Sequence, residues 1–319
     1  MQLILALPLL NWGELNEPMS SNRFVRIARR DWREWLTFAA FVGPNLLLFG
    51  IFTYYPLIQN GVLAFSNYNL ITRSGQFIGL RNFETVFGST QFGKILSNTF
   101  VFTTVSVLLL IALGLMVALL LNQKLRGRNA ARSILFSPTI LAGAAIAIVW
   151  IYIFDPRFGF IYALLRPLGI PAPKWLTDPA WAMPAIIIVY VWKNLGYATV
   201  IFIAGLQAIP RELYEAARVD GAGALDRFWH VTLPGLSPVM FFLVVTTILS
   251  SFQAFDIINI MTKGGPVNAT NTLIFHLYEL FFVQSSAGRA AVVAWLLFVL
   301  MVAVTLLQVR YLERRVSYA

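Results

Sequence analysis

Apolar and polar residues occupy long separate blocks along this chain. Crossing about 30 Å of hydrocarbon takes about 20 consecutive, predominantly apolar residues in a helix. Six stretches reach that length, and they cover residues 35–55, 98–121, 134–154, 182–206, 236–260 and 290–309. The pattern predicts an all-α membrane protein with six spans. No long linker or low-complexity segment divides residues 35–319, which are expected to form one transmembrane domain.

The composition agrees with this prediction. Hydrophobic residues make up 58% of the 319 residues and charged residues only 12%, whereas about a quarter of residues are charged in a typical soluble domain. The mean hydropathy is +0.72. The formal net charge of +10 is compatible with nucleic-acid binding or with a membrane orientation signal, so the positions of the basic residues have to decide.

The basic residues are distributed unevenly between the two sides. If the amino terminus is inside, fifteen of the 24 Lys and Arg residues lie on inner connectors, eight lie on outer connectors, and Lys193 lies within the fourth span. Cytoplasmic connectors carry the excess of Lys and Arg in membrane proteins. The sequence therefore predicts that both termini are cytoplasmic. Because topology accounts for the basic bias, nucleic acid is not an expected partner.

Residues 1–34 are predicted to be a cytoplasmic amino-terminal segment. Residues 1–10 are apolar, but they are too short to span a membrane and lack the basic start of a signal peptide. This suggests either a dispensable extension or an upstream start codon, with Met19 as the natural first residue in the second case. The following stretch combines five arginines with Phe24, Trp32 and Trp35, a composition typical of a helix that lies on an anionic membrane surface.

A polar loop separates the fourth and fifth spans. Pro210 can open a helix, because its missing N–H falls where a helix has no partner for that group. Gly221 is expected to end this helix. The sequence predicts a short, rigid helix that another protein could push, and the alternative is an ordinary amphipathic connector. The residues that define the loop are Glu215, Ala216, Ala217, Asp220, Gly221, Leu233 and Pro234.

The spacing of Glu-Ala-Ala at 215–217, Gly221 and Leu-Pro at 233–234 resembles the EAA loop of binding-protein-dependent ABC importers, in their carbohydrate-uptake permease subunits. The resemblance implies a six-span type I ABC importer permease fold in the bacterial inner membrane, with a cytoplasmic EAA coupling helix. It implies a second permease subunit, two ATPase subunits and an extracytoplasmic substrate-binding protein as partners. ATP and magnesium would be bound by the ATPase, so this chain is expected to have no cofactor, metal or enzymatic activity of its own.

Two features of the spans suggest a substrate pathway. Lys193 lies near the middle of the fourth span, where a charge costs a few kcal/mol, so it is expected to face either a pathway or a partner subunit. In the fifth span, small or hydroxyl-bearing residues follow the i, i+3, i+4, i+7 spacing and share one face, which suits close helix packing or hydrogen bonds to a polyol. They are Thr247, Ser250, Ser251 and Ala254.

The family resemblance adds residue roles. In maltose-type permeases the sugar is held at positions that match Leu195, Gly196 and Thr199, together with the four residues of the fifth span. Ala254 departs from that pattern, and the two serines differ in type, so a maltose-like substrate is doubtful. Tyr197, which with Lys193 resembles permeases of glycerol phosphate importers, completes the predicted pathway.

The same resemblance extends to the turn after the fifth span. Gly264, Gly265 and Pro266 match a sequence found in many members of the family and are predicted to contact the binding protein. The resemblance implies import of sn-glycerol-3-phosphate or a glycerophosphodiester. The alternative is a neutral sugar or oligosaccharide, such as trehalose or a maltose-like sugar. A stand-alone channel or a membrane scaffold is the remaining class.

Other chemistry has little support in the sequence. Residues 88–95 nearly match a phosphate-binding P-loop, but Ile95 stands where that motif has Ser or Thr, and no strand is predicted before it. The chain has no Cys and only His230 and His276, which removes thiolate chemistry and gives no pair of His at metal-ligand spacing. No two acidic residues are expected to converge within the spans.

Overall fold

A computed structural model describes residues 21–69, 74–123 and 126–312. The chain divides into two compact units, Met1–Gln59 and Asn60–Ala319, and each is described by itself. The predictions about residues 1–10 and Met19 lie outside the described residues, as do the last seven positions of the chain, 313–319.

The first unit is helical throughout its described part. Helix α1 (Ser21–Phe49) is followed by a π-helical turn (Gly50–Tyr54) and by the start of α2 (Tyr55–Ala64). Residues Trp35–Ala64 form one apolar stretch long enough to span a membrane, which matches the first predicted span. The predicted boundary at residue 34 lies inside α1, where the helix continues without a break.

The second unit begins with a small β-hairpin that the sequence analysis did not predict. Strands β1 (Ser66–Asn69) and β2 (Ser74–Phe77) pair antiparallel, with Ser66 opposite Phe77, and α3 (Arg81–Phe87) follows. The buried side chain of Asn82 donates to the carbonyls of Ala64 and Ser66, both at 2.9 Å. This polar side chain therefore ties the hairpin to α3 and to the end of α2.

The second unit also contains the remaining apolar helices. Within the described ranges, five helices are long and apolar enough to cross a membrane, and six if one bent pair counts as a single span. The chain is therefore a mostly helical membrane protein, as predicted. In this unit the helices concerned are α4 (Phe92–Leu121), the pair α5 (Arg128–Ile140) and α6 (Gly143–Ile153), α8 (Pro179–Ala208), α12 (Ser237–Phe252) with α13 (Asp256–Met261), and α15 (Ala287–Leu312).

Shorter elements connect these helices. After α6 come α7 (Phe160–Leu165) and a 3₁₀ turn (Arg166–Leu168). The elements between α8 and α12 are α9 (Arg211–Val219), α10 (Ala224–Arg227), a π-helical turn (Phe228–Thr232) and α11 (Leu233–Gly235). Helix α14 (Leu273–Tyr278) and a second π-helical turn (Glu279–Val283) precede α15.

Two of the predicted spans are interrupted. The third, treated as one span over 134–154, consists of α5 and α6, which meet at an angle of 104°. Leu141 and Ala142 are extended, with ψ of 146° and 133°, and Pro138 has no N–H to donate in the last turn of α5. The fifth span stops being helical between Phe252 and Asp256. Both interruptions lie within stretches that are apolar enough on average to be counted as spans, so mean hydropathy does not reveal them.

Helix α8 lies at the centre of the packing, and two glycines allow this. A Cβ on Gly114 of α4 would lie 2.9 Å from the Cβ of Ala198 on α8. A Cβ on Gly196 of α8 would overlap the carbonyl oxygen of Leu135 on α5. Small residues let helix backbones approach this closely in membrane proteins. Buried clusters on both halves of α8, around Tyr190 and around Phe202, depend on these crossings.

We expect Gly196→Ala to prevent normal packing of α5 on α8, because the new methyl group meets backbone that no side-chain rotation can move. Ordinary overpacking costs about 1–3 kcal/mol, and this substitution should cost at least the upper value. The matched control is Gly93→Ala in α4, where no atom lies within 4 Å of the added Cβ. Melting temperature and yield of the complex in mild detergent should fall for Gly196→Ala only. Equal values for the two variants would contradict the crossing.

Candidate functional site

The predicted loop helix is present as α9. It begins at Arg211, with Pro210 in extended conformation (ψ 135°) at the position before the first turn, and Glu212 lies in that first turn. Glu215, Ala216 and Asp220 are exposed, whereas Ala217 is half-buried. The residues that the sequence analysis assigned to a loop helix therefore form one, with most of its polar surface open.

Gly221 ends α9 in the way the sequence predicted. Its φ of +80° is in the left-handed region, which residues with a Cβ adopt only at a cost of about 1–2 kcal/mol. The N–H of Gly221 donates to the carbonyl of Arg218 at 3.0 Å, and the N–H of Ala222 donates to the carbonyl of Ala217 at 2.8 Å. These two bonds form a Schellman motif, which satisfies the last carbonyls of the helix and fixes the direction of the chain after it.

The returning segment braces α9 from the other side. The Tyr214 hydroxyl of α9 lies 3.0 Å from Oγ1 of Thr232. The Asp226 carboxylate accepts from the N–H of Gly223 at 3.1 Å, and the Arg227 guanidinium donates to the carbonyl of Ala222 at 2.9 Å. Leu233, half-buried, and Pro234, exposed, then lead into α12. The loop is therefore a small folded unit and not a flexible connector.

This loop exposes apolar side chains beside its acidic ones. Val219 is 88% exposed, Leu225 69% and Trp229 55%, and Leu213 is also exposed. Several large exposed apolar side chains on one loop suit an interaction surface. Sequence reasoning found the glycine and acidic residues of the loop but missed these apolar ones, because their exposure depends on how the loop folds back on itself.

The predicted pathway residues of α8 differ in accessibility. Gly196 is buried beneath α5 and Thr199 is fully buried, with its hydroxyl donating to the carbonyl of Leu195 at 2.8 Å. Lys193, Leu195 and Tyr197 are half-buried. The three half-buried side chains are therefore the members of this group that a molecule beside α8 could touch.

The hydroxyls of the fifth span point back to their own helix. Thr247 and Ser251 are buried and donate to the carbonyls of Leu243 and Ile248. Ser250 donates to the carbonyl of Thr246 at 2.8 Å but is exposed. Such bonds satisfy a hydroxyl within apolar surroundings. Ala254 is half-buried in the break after α12.

The two span breaks lie next to each other, close to Lys193. The Thr139 hydroxyl at the end of α5 donates to the backbone carbonyl of Lys193 at 3.0 Å. At the start of α6, a Cβ on Gly143 would lie 3.0 Å from Oδ2 of Asp256, the first residue of α13. Asp256 is thus a helix-end residue. Among the described residues, no carboxylate forms an ion pair with the Lys193 ammonium group.

The turn after the fifth span is held by a dense hydrogen-bond network. Asn98 of α4 donates to the carbonyls of Asn268 and Asn271, at 2.7 and 3.0 Å, and the Lys94 ammonium group donates to the carbonyl of Val267 at 2.6 Å. Gly264 is buried against Phe275, and a Cβ added at Gly264 would lie 2.6 Å from the Phe275 ring. Gly265 and Pro266 are half-buried. Val267, which is 78% exposed, forms the tip and was missed by sequence reasoning.

Glu279 supports this turn from the second π-helical segment. The Asn271 amide donates to its carboxylate at 2.7 Å, and Nδ1 of His276 lies 3.6 Å away. The nearby His276 imidazole lowers the pKa of the Glu279 carboxyl, burial opposes this, and the hydrogen bond from Asn271 lowers it further. A carboxyl with a lowered pKa stabilises the fold at pH values above its ordinary pKa of about 4.3. This stabilisation is lost as the pH falls through the lowered pKa.

Among the described residues, no group of three or more His, Cys, Asp or Glu side chains is arranged to hold a metal ion. The near P-loop at 88–95 forms a turn and the start of α4, with Lys94 engaged by the loop described above.

Comparison with known proteins identifies the family to which this chain is similar. Residues 110–318 match the model of the family described as "Binding-protein-dependent transport system inner membrane component". The sn-glycerol-3-phosphate transport system permease protein UgpA of Agrobacterium fabrum is 35% identical over 280 residues, covering 87% of this chain and 94% of that protein. The probable ABC transporter permease protein YurN of Bacillus subtilis is 31% identical over 271 residues, covering 84% and 93%.

A solved structure has the same fold. It is a chain from the crystal structure of a bacterial alginate ABC transporter in complex with an alginate pentasaccharide-bound periplasmic protein. The two chains superpose with a TM-score of 0.80 at 24% sequence identity, and the match covers 92% of this chain and 99% of that one. Fold, loop and sequence agree: this chain belongs to the family of binding-protein-dependent inner membrane components and is a multi-pass permease subunit of an ABC importer of the carbohydrate type.

Proposed function

We propose that this chain moves sn-glycerol-3-phosphate or a glycerophosphodiester into the cell by ATP-driven alternating access. It would act with a second permease subunit, two ATPase subunits and an extracytoplasmic substrate-binding protein. The observation that best supports an importer mechanism is the hydrogen-bonded loop around α9. It is rigid, exposes Val219, Leu225 and Trp229, and is joined directly to the helices α8 and α12.

In this proposal the loop is the coupling helix. Glu215, Ala216, Asp220 and the exposed apolar side chains dock on the ATPase, which alone binds ATP and magnesium. Both termini are cytoplasmic. Because Tyr214 is tied to Thr232, a displacement of α9 is transmitted to the start of the fifth span as well as to the end of the fourth. The turn that presents Val267 would meet the binding protein, with Gly264, Gly265 and Pro266 shaping its base.

Gly221→Ala tests the coupling helix. The added Cβ strains the left-handed position by about 1–2 kcal/mol, which corresponds to a factor of about 5–30 in the population of the intact helix end. We expect substrate-stimulated ATPase activity and uptake to fall by a factor in this range at normal assembly. Gly223→Ala is the control, since its φ of −69° suits alanine and its nearest neighbour is the movable Asp226 carboxylate. Unchanged uptake in Gly221→Ala would remove the coupling assignment.

The substrate proposal depends on Lys193. A half-buried ammonium group in the middle of an apolar helix, with no described carboxylate as its partner, favours an anionic ligand. Relatives at 34–35% identity are named as sn-glycerol-3-phosphate permeases, which supports the same substrate class. The two span breaks beside Lys193 supply the irregular backbone that membrane proteins allow where a cavity is lined.

A neutral sugar is the second candidate substrate, and one observation favours it. Ser250 presents an exposed hydroxyl on α12, which suits a hydrogen bond to a polyol such as trehalose. Thr199, Thr247 and Ser251 contribute only if the helices separate during transport, because they are buried in this conformation.

Lys193→Gln distinguishes the two substrates. A hydrogen bond to a charged group contributes about 1.5–3 kcal/mol, so uptake of sn-glycerol-3-phosphate at limiting concentration should fall about ten- to a hundredfold. Ser250→Ala is the matched control and should leave uptake of the phosphate substrate within about threefold. Both variants are assayed with labelled sn-glycerol-3-phosphate and labelled trehalose, normalised to assembled complex.

A fully assembled Lys193→Gln complex that imports sn-glycerol-3-phosphate at the wild-type rate would refute the electrostatic role. Loss of trehalose uptake in Ser250→Ala, with no phosphate uptake in the wild type, would establish the neutral sugar instead. A Lys193→Gln complex that falls apart in detergent would show that the ammonium group serves a subunit interface.

A further inference from the structure

A polar cavity of about 710 Å³ lies at the loop end of the helices, apart from the proposed pathway. It is enclosed where α4 ends, α5 begins, α8 ends and α9 begins. Three arginines line it: Arg126 from the turn between α4 and α5, Arg128 from α5 and Arg211 from α9. The lining that matters for its chemistry is Arg126, Arg128, Arg211, Asn122, Gln207 and Tyr214.

The cavity concentrates positive charge without a balancing carboxylate among the described residues. None of its described lining residues is acidic, and none of the three arginines forms an ion pair with any carboxylate in that part of the chain. Helices α5 and α9 begin at Arg128 and Arg211, and the start of a helix adds partial positive charge. Charges of one sign in a concave site attract and concentrate the opposite ion.

We infer that this cavity binds a phosphate-bearing anion. Guanidinium groups match phosphate oxygens in a two-pronged hydrogen-bond geometry. The side-chain amides of Asn122 and Gln207 supply further neutral donors on the α4 and α8 sides.

The surroundings favour a phospholipid headgroup over a free phosphate as the source of this anion. The cavity lies at the ends of α4 and α8, two of the helices able to cross a membrane. The remaining wall is apolar, formed by the buried residues Leu206 and Ile209. An anionic headgroup attached to acyl chains fits a site that is basic on one side and apolar on the other.

Such a ligand would connect the spans to the loop around α9. Arg211 begins α9, and Tyr214, one turn later, is bonded to Thr232 of the returning segment. An occupant held by Arg126 and Arg128 on one side and Arg211 on the other therefore fixes α9 relative to α5 and the turn before it. The site would bind a modulator of the complex and not its transported substrate, which is a role beyond the function proposed above.

The test uses the complete complex in mild detergent with three probes: dioctanoyl phosphatidylglycerol, dioctanoyl phosphatidylcholine and inorganic phosphate. Native mass spectrometry counts bound lipid, and the melting temperature reports phosphate. The variant is Arg126→Gln with Arg128→Gln, which leaves α9 unchanged. Arg310→Gln, an exposed arginine near the end of α15 that does not line the cavity, is the control.

We expect phosphatidylglycerol to bind the wild type and the Arg310→Gln variant with equal affinity. Its affinity for the double variant should be lower by a factor of about ten or more, since each basic residue contributes about a factor of five near an anionic surface. Phosphatidylcholine should bind weakly to all three. Stabilisation by inorganic phosphate alone, lost in the double variant, would support the anion site and identify a free phosphate as its ligand. Equal binding of every probe to all three proteins would overturn the inference, as would loss of a partner subunit from the double variant.

Discussion

The structure depends on how backbone polar groups are satisfied where two apolar spans stop being helical. Apolar surroundings offer no water to the freed N–H and carbonyl groups, and each unsatisfied group costs several kcal/mol. Here the breaks at 141–142 and 253–255 lie side by side. Asp256 is placed against the first turn of α6, and the Thr139 hydroxyl bonds to the carbonyl of Lys193. At the breaks the N–H groups of Leu141, Gln253 and Ala254 donate to carbonyls three residues earlier in the chain. Glycine at position 196 lets α8 approach the backbone of α5.

In the proposed function the two ends of the fifth span contact other molecules, and each end is held in a different way. Before the span, α9 ends in a Schellman motif and is tied back through Tyr214, so that the loop moves as one piece. After the span, Asn98 and Lys94 hold the carbonyls of the turn, so that Val267 projects from a fixed base. A permease that alternates between two states needs this arrangement, because force applied at a soft loop would be lost before it reached the helices.

Much of this architecture could be predicted from the sequence. Long apolar blocks identified every span, and the positions of Pro210 and Gly221 identified the start and end of α9, because these residues act through local backbone geometry. The breaks could not be predicted, since an apolar run has the same composition whether its helix continues or bends by 104°. The direction in which the hydroxyl groups of Thr199, Thr247 and Ser251 point could not be predicted either. A hydroxyl that can bond its own helix gives no sign in the sequence of whether it faces a cavity.

The central claim is that the α9 loop and the start of α5 face the cytoplasm while the Val267 turn faces outward. The chain has no cysteine, so single cysteines can be placed at the exposed positions Val267 and Asn129 and treated with a membrane-impermeant thiol reagent in intact spheroplasts. The account predicts that Val267→Cys reacts at once and that Asn129→Cys reacts only after permeabilisation. Labelling of Asn129→Cys from outside, with protection of Val267→Cys, would invert the topology and contradict the account.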